Sequence, residues 1–446
     1  MPDKITEPPR ELPFIADVDV CVLGGSCTGV FAAVRAARRG KSVVVLEATN
    51  GFGGTATNGL VNVWHSAFDS EYEREIIGGL TTETMDRLDA RGAAAHLDNN
   101  PNMAFRFNSA ELKLELDKLV REHDIEPMLH TRFCAPVLAD DGTVEAVLVE
   151  NKDGRAAIRA KVFVDATGDG DLVARAGLPF RVSPELQPPT MCALIWNFAV
   201  EGLDLQQLYD QHHEEFGLEP DSGWSGPVPG LPGITMFAHT HVFGVNCADA
   251  AELTAAEMKG RAQIRAVMDM LRKYGPQGDQ IGLVALPSYI GIRETRRFEA
   301  EYELTEDDVL SGRRFDDAIA QGSYRVDVHH PEGGGFLFKY LDGTTLDTRS
   351  GERGRWREPT SENPTFYQIP YRCLVHRELR NVIMAGRMIA ADTGAYGAIR
   401  VMVNLNQTGE AAGVAACLAA ERDVHVADVK ADTLRKELRE GGSIIL

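Results

Sequence analysis

The first regular pattern along the chain is a short apolar run, Asp19-Val-Cys-Val-Leu23, which ends in a Gly-rich turn. Thr28–Arg39 follows, rich in Ala and other good helix formers, and Gly40 stops it. Ser42-Val-Val-Val-Leu46 is a second β-branched run. Strand, turn, helix and strand in this order make a βαβ unit, which predicts a parallel sheet with helices on its faces.

Ser109–His123 reads as an amphipathic helix with Ser109 as its N-cap. Strand-like runs at 132–138, 145–150 and 156–160 are separated by Asp141-Gly142 and Asp153-Gly154, which are hairpin signals. Lys161-Val-Phe-Val-Asp165 then reads as a further strand running into Ala-Thr-Gly168. Between about 176 and 375 the pattern mixes strand-like runs at 190–200 and 233–245 with a helix at 254–274. The opening pattern returns in Asn381-Val-Ile-Met-Ala385 and in an Ala-rich helix expected over 409–421. The predicted fold class is α/β: a Rossmann-like nucleotide-binding domain with an inserted α+β substrate domain. The first takes 1–75, 108–178 and 376–446, and the second takes 76–107 and 179–375.

Charge and cysteine content narrow the function classes. With 46 basic and 66 acidic residues the net charge is −20, which argues against a nucleic-acid partner. No uncharged apolar run is long enough to span a bilayer, so no membrane partner is expected. The opening residues carry no apolar secretory segment, and the expected location is cytoplasmic. Seven scattered cysteines without a CxxC pair argue against a redox dithiol and an iron–sulfur cluster.

The turn after the first strand is Gly24-Gly-Ser-Cys-Thr-Gly29, a variant of the GxGxxG fingerprint with Ser26 in place of the second glycine. Glu47 ends the second strand, where an acid binds ribose hydroxyls. The pattern reads as a dinucleotide site, with the pyrophosphate on the helix N-terminus. An ordinary tight βα turn is the alternative. Gly333-Gly-Gly335 lacks the flanking strand and helix and reads as a loop.

Further motifs carry a resemblance. They are Phe52-Gly-Gly-Thr-Ala-Thr-Asn-Gly59, Val164–Asp171, Gly291–Arg297, Tyr367–Arg372, Ala385-Gly-Arg387 and Gly397–Met402, together with Gly244-Val-Asn246. Over about 20–440 the chain resembles the FAD-dependent oxidoreductase family within the glutathione-reductase-like flavoprotein superfamily. The resemblance implies FAD as cofactor. It places the pyrophosphate on Gly24, Gly25, Ser26 and Gly29, the ribose on Glu47, and the ribityl chain and flavin edge along Gly53, Gly54, Thr55 and Ala56. Phe133 and Cys134 would reach adenine through their backbone, and Ala166, Thr167 and Gly168 would close over the cofactor. Gly386 and Arg387 stand where relatives often carry Gly-Asp. The implied cofactor set also includes Thr28, Ala48, Met402, Asn404 and Gly409. A helix starting at Thr408-Gly409 would aim its N-terminus at the flavin, with Ala411, Ala412 and Gly413 allowing close approach.

Flavin-dependent dehydrogenation needs a base for the substrate proton, and histidine titrates in the right range. His65 follows the flavin-edge motif and is the first candidate, with His241 and His329 behind it. Arg293 could clamp a carboxylate, although it and its neighbours Arg296 and Arg297 could instead pair with nearby acids. Tyr396 could donate a hydrogen bond to substrate. His239 and His241 lie at i and i+2, but no third ligand is marked and no metal is expected. The expected partners are a small-molecule substrate and an unnamed electron acceptor, and a homo-oligomer is open. The leading function is oxidation of a polyol, sugar-like alcohol or hydroxy acid. Reduction of an activated C=C bond, as in fumarate-reductase-like proteins, and a non-catalytic electron-transfer subunit are the alternatives.

Overall fold

The computed structural model describes residues 5–97, 100, 104–198, 203–220, 223–330 and 334–446. The expectations for Val200 and Gly333 lie outside the described residues. Strand β1 (Phe14–Leu23), helix α1 (Cys27–Arg38) and strand β2 (Val43–Leu46) form the expected βαβ unit. Val20–Leu23 pair in parallel with Val43–Leu46, and both tetrads are buried, as the uninterrupted apolar runs require.

Helix α2 (Ser109–Glu122) takes its cap from Asn108, one residue before the expected Ser109, and Ser109 Oγ instead donates to Ala56 O. Beyond it come β3 (Glu126–Met128), β4 (Arg132–Leu138), β5 (Val144–Asn151) and β6 (Gly154–Asp165). The two strand-like runs expected at 156–160 and 161–165 are one continuous strand, β6. Its first half pairs antiparallel with β5, and its last residues, Phe163–Asp165, pair in parallel with a late strand at 382–384. β1 covers its other edge from Ala157 to Asp165. The result is a seven-stranded sheet whose parallel part runs β3, β2, β1, β6 and then that late strand.

The middle of the chain contributes a four-stranded antiparallel sheet of β7 (Ala193–Trp196), β8 (Trp224–Pro227), β9 (Ile234–Ala238) and a strand after the long helix α3 (Ala250–Tyr274), namely β10 (Gly282–Ala285). Met191, Ile195, Phe237, Ile264, Val267 and Met268 belong to its own apolar core. The larger core unites the opening βαβ unit with the C-terminal elements and also takes in Phe298, Leu304, Ile319, Tyr367 and Ile369. Strand β11 (Val326–His329) pairs with β12 (Phe336–Lys339). The chain then returns through β13 (Val382–Met384), the late strand beside β6, to α4 (Thr393–Ile399) and α5 (Met402–Arg422).

Helix α5 corrects the expected start at Thr408-Gly409. It begins at Met402, so Thr408 and Gly409 lie inside it. Its small residues serve helix packing: a Cβ on Gly409 would overlap Thr28 O, and one on Gly413 would overlap Ala32 O, both backbone atoms of α1. The close approach expected toward the flavin is made toward α1.

Candidate functional site

The C-terminal ends of β1, β2, β6 and β13 lie at one edge of the sheet, so the loops that follow them converge there. This edge is where open α/β sheets bind ligands. Gly24, with φ +99°, leaves no room for a side chain against Ala166 O, and a Cβ on Gly29 would overlap Gly24 O. Gly25 N donates to Glu47 Oε2 at 2.9 Å. Ser26, the departure from the fingerprint, caps α1: its Oγ accepts from Gly29 N at 3.3 Å. Gly53 N donates to Gly25 O at 2.7 Å, which draws Gly53-Gly54-Thr55-Ala56 onto the first loop. The amides at the start of α1, including that of Thr28, thus open into a cradle of glycine backbone.

Asp165, at the end of β6, is wholly buried. One of its oxygens accepts from Thr167 N (3.1 Å) and Thr167 Oγ1 (2.8 Å), and the other from Leu172 N (2.9 Å) and Val173 N (3.1 Å). It fixes the Ala166-Thr167-Gly168 turn. Arg387 ion-pairs with Asp169, lies against Gly168, and keeps a buried Nε without a partner. Gly386 beside it has φ +120°. Phe133 and Cys134 present their carbonyls to Arg175, at 3.1 and 2.5 Å. Ala48 is exposed, Met402 is half-buried, and buried Asn404 donates to Tyr367 Oη and Ala398 O.

All five sequence candidates for the chemistry lie in connected polar surroundings. Arg293 Nη2 stands 3.3 Å from His241 Nε2, and the His241 and His329 rings are 5.1 Å apart. Tyr396, in α4, donates to Arg293 O at 2.5 Å, so its hydroxyl proton is not free for the substrate bond expected of it. His65 packs on Tyr324 with ring centroids 4.2 Å apart, and Tyr324 Oη donates to Asp327 Oδ2 at 2.7 Å. Asp327 and His329 sit two apart on β11, and Arg400 Nη2 reaches Asp327 at 3.4 Å. Arg297 pairs with Glu294 at 3.3 Å and Arg296 with Asp171 at 3.0 Å. His239 turns elsewhere, its Nδ1 accepting from Gly223 N at 2.9 Å. No metal-holding group of acids, histidines and cysteines is found among the described residues.

The electrostatics correct one expectation. The residue pattern implies a histidine titrating near neutral pH. Burial, reinforced by Arg325, instead pushes His65 down to about 3, and burial beside Arg293 and His241 holds His329 well below the usual range. Both rings are neutral across physiological pH.

Sequence reasoning missed Tyr324, Arg325 and Asp327. Their signal was the run Arg325-Val-Asp-Val-His329, whose polar residues alternate with valines as at a solvent-facing edge, yet Asp327 and His329 are buried. It also missed Tyr289, which reaches the cradle near Gly54 and bonds Thr55. Unpartnered buried polar atoms accumulate in this region: His65 Nδ1, His329 Nδ1, Asp327 Oδ1, Arg400 Nε and Gln187 Oε1. Such groups are rare in native interiors and mark places where a ligand completes the bonding.

A parallel sheet with a glycine cradle at its carboxyl edge is the arrangement of a nucleotide-binding α/β protein. The chain belongs to the FAD-dependent oxidoreductase family, whose profile matches residues 19–438, and its cofactor is FAD. No curated protein matches the sequence. Among solved structures, the chain is similar to a geranylgeranyl bacteriochlorophyll reductase-like protein from Thermoplasma acidophilum (11% identity, 95% of this chain and 84% of that chain, TM-score 0.48). It is also similar to a p-nitrophenol 4-monooxygenase from Pseudomonas putida (13%, 96% and 84%, TM-score 0.43). A flavin-dependent brominase aligns comparably (12%, 95% and 83%, TM-score 0.44). Likenesses this distant bear on neither substrate nor reaction. The residues present fit FAD: the cradle admits no side chain at Gly24 or Gly29, and the Arg387 Nε donor is buried and unmet. No helix of the described residues is long and apolar enough to cross a membrane.

Proposed function

We propose that this enzyme oxidises a hydroxyl-bearing polar small molecule, with an imidazole nitrogen of His65 accepting the hydroxyl proton. The observation that carries the reading is convergence. His241, Arg293, His329 and Tyr396 come from distant segments and contact one another in a chain, and His65 packs on Tyr324, whose hydroxyl bonds Asp327 two residues before His329. Tyr396 links the two parts, because its hydroxyl bonds Arg293 O while lying within the field of Arg387.

Gly24–Ser26, Glu47, Gly53–Ala56, Ala166–Gly168 and Arg387 would hold FAD, which supplies a two-electron acceptor when bound. His65 is kept neutral by burial and by the Arg325 cation, so it is in the proton-accepting form before substrate arrives. Negative charge brought in by substrate would raise its basicity as the proton transfers. Arg293 would orient the substrate while Tyr396 holds the Arg293 backbone, and the Tyr324 ring packs against the His65 imidazole. The order of the parallel strands, with the antiparallel β4–β5 ribbon added to β6, supports placing the chain in the glutathione-reductase-like superfamily.

The test is anaerobic flavin bleaching of the purified holoprotein by polyols, sugar alcohols and hydroxy acids. At least one class should bleach it. If none does, while an activated alkene reoxidises chemically reduced enzyme, the direction is wrong.

A further inference from the structure

Arg325 is a cation with no counter-ion among the described residues. Its guanidinium carbon lies 3.8 Å from the Phe338 ring centroid, 5.0 Å from Tyr324 and 5.9 Å from Tyr340. No carboxylate of the described residues pairs with it, and its Nε is buried without an acceptor among them. Stacking on aromatic faces holds a guanidinium in place while leaving its N–H edge available for an anion.

The location matters. The Tyr324 ring is shared: His65 packs on it at 4.2 Å and Arg325 at 5.0 Å. Arg400 meets Asp327 at 3.4 Å and also keeps an unpartnered buried Nε. Two guanidinium donors therefore lack acceptors close to the proposed proton acceptor. A buried donor left unmet is costly, and a neutral hydroxyl offers too few acceptor lone pairs to satisfy a guanidinium fork. A carboxylate, with two oxygens and about four lone-pair sites, matches it in charge and shape.

We propose that Arg325 receives a carboxylate of the substrate, so that the substrate class is a hydroxy carboxylic acid. This rests on the reading that places the substrate hydroxyl at His65. Among the three alcohol classes the sequence leaves open, it selects one. It also makes Arg325 the residue that discriminates acids from neutral polyols.

The probes are oxalate, malonate and succinate against their neutral diamides, with binding to the FAD-loaded protein measured by calorimetry. At least one dicarboxylate should bind about 30-fold more tightly than its diamide. Arg325→Gln should remove about that factor for the acid while leaving diamide binding and FAD content unchanged. Arg325→Lys, which keeps the charge but not the fork, carries the test if the glutamine variant fails to fold, and should weaken the acid about 10-fold. Wild-type affinity for the acid in Arg325→Lys or a folded Arg325→Gln, equal binding of acid and diamide, or no dicarboxylate binding at all would overturn the proposal. Arg325-dependent acid binding without bleaching by any hydroxy compound would support this inference and remove the dehydrogenase reading. Bleaching by neutral polyols, insensitive to Arg325, would do the reverse.

Discussion

Glu47 Oε2 accepts the backbone N–H of Gly25 at 2.9 Å, while Oε1 accepts Thr49 N and Oγ1 at 2.8 and 2.6 Å. One carboxylate therefore ties the first cradle loop to the end of β2. Glu47→Ala should weaken FAD binding by about 1.5–3 kcal/mol, the worth of a charge-assisted hydrogen bond. Fluorescence titration of the apoprotein with FAD checks this, and unchanged affinity would detach Glu47 from the cradle.

The contact between α1 and α5 is backbone against backbone at Gly409 and Gly413. A methyl at either site meets a carbonyl that cannot rotate away. Gly413→Ala should cost about 1–3 kcal/mol or more by overpacking. Because α1 carries the cradle at its N-terminus, the variant should also release FAD more readily. Thermal unfolding with and without added FAD reads both effects.

Glu410 and Arg35 form a buried pair at 3.4 Å. Arg35 also donates to Gly441 O, Glu437 O and Leu438 O, and Glu410 accepts from Leu80 N and Ser443 Oγ. Burial nevertheless pushes Glu410 up to about 7, with Arg35 opposing it. Between about 4.5 and 7 the folded state then binds more protons than the unfolded one. The stability this group contributes is full below about pH 4.5 and is lost as pH rises through about 7. Its slope approaches ~1.4 kcal/mol per pH unit inside that window. Melting temperatures of Glu410→Gln should lack that slope, and parallel curves for variant and wild type would refute the assignment.

Much of the cofactor half was legible because local rules agree there. The β-branched runs, the glycine turn and the 18-residue step from Gly29 to Glu47 all place elements without long-range information. The start of α5 was not legible. Asn404, Asn406 and Thr408 are weak helix formers, and Asn404 is held by Tyr367 and Ala398, far from it or outside the helix. The histidine candidates were readable as residue types, but what surrounds them was not. Arg325 and Asp327 alternate with valines as on a half-exposed strand, and the packing of Arg325 on Phe338 and of Tyr324 on His65 is set by tertiary neighbours. For the same reason the histidine shifts escaped the sequence, since desolvation depends on tertiary neighbours.

With His65 held near 3 by burial, the proposed base remains deprotonated over the whole neutral range. At substrate concentrations well below saturation, where the free enzyme's ionisation is read, flavin reduction should therefore be flat from about pH 5 to 8, without the inflection near 6.5 of an ordinary histidine. An inflection in that range that persists in His65→Gln would assign the base to another group.

The most direct test of the central claim is the anaerobic rate of flavin reduction by substrate in His65→Gln, measured by rapid mixing at matched FAD content. The account predicts a loss of about 10²–10⁴-fold, the usual contribution of a positioned general base, with FAD retained. Reduction at the wild-type rate would contradict it.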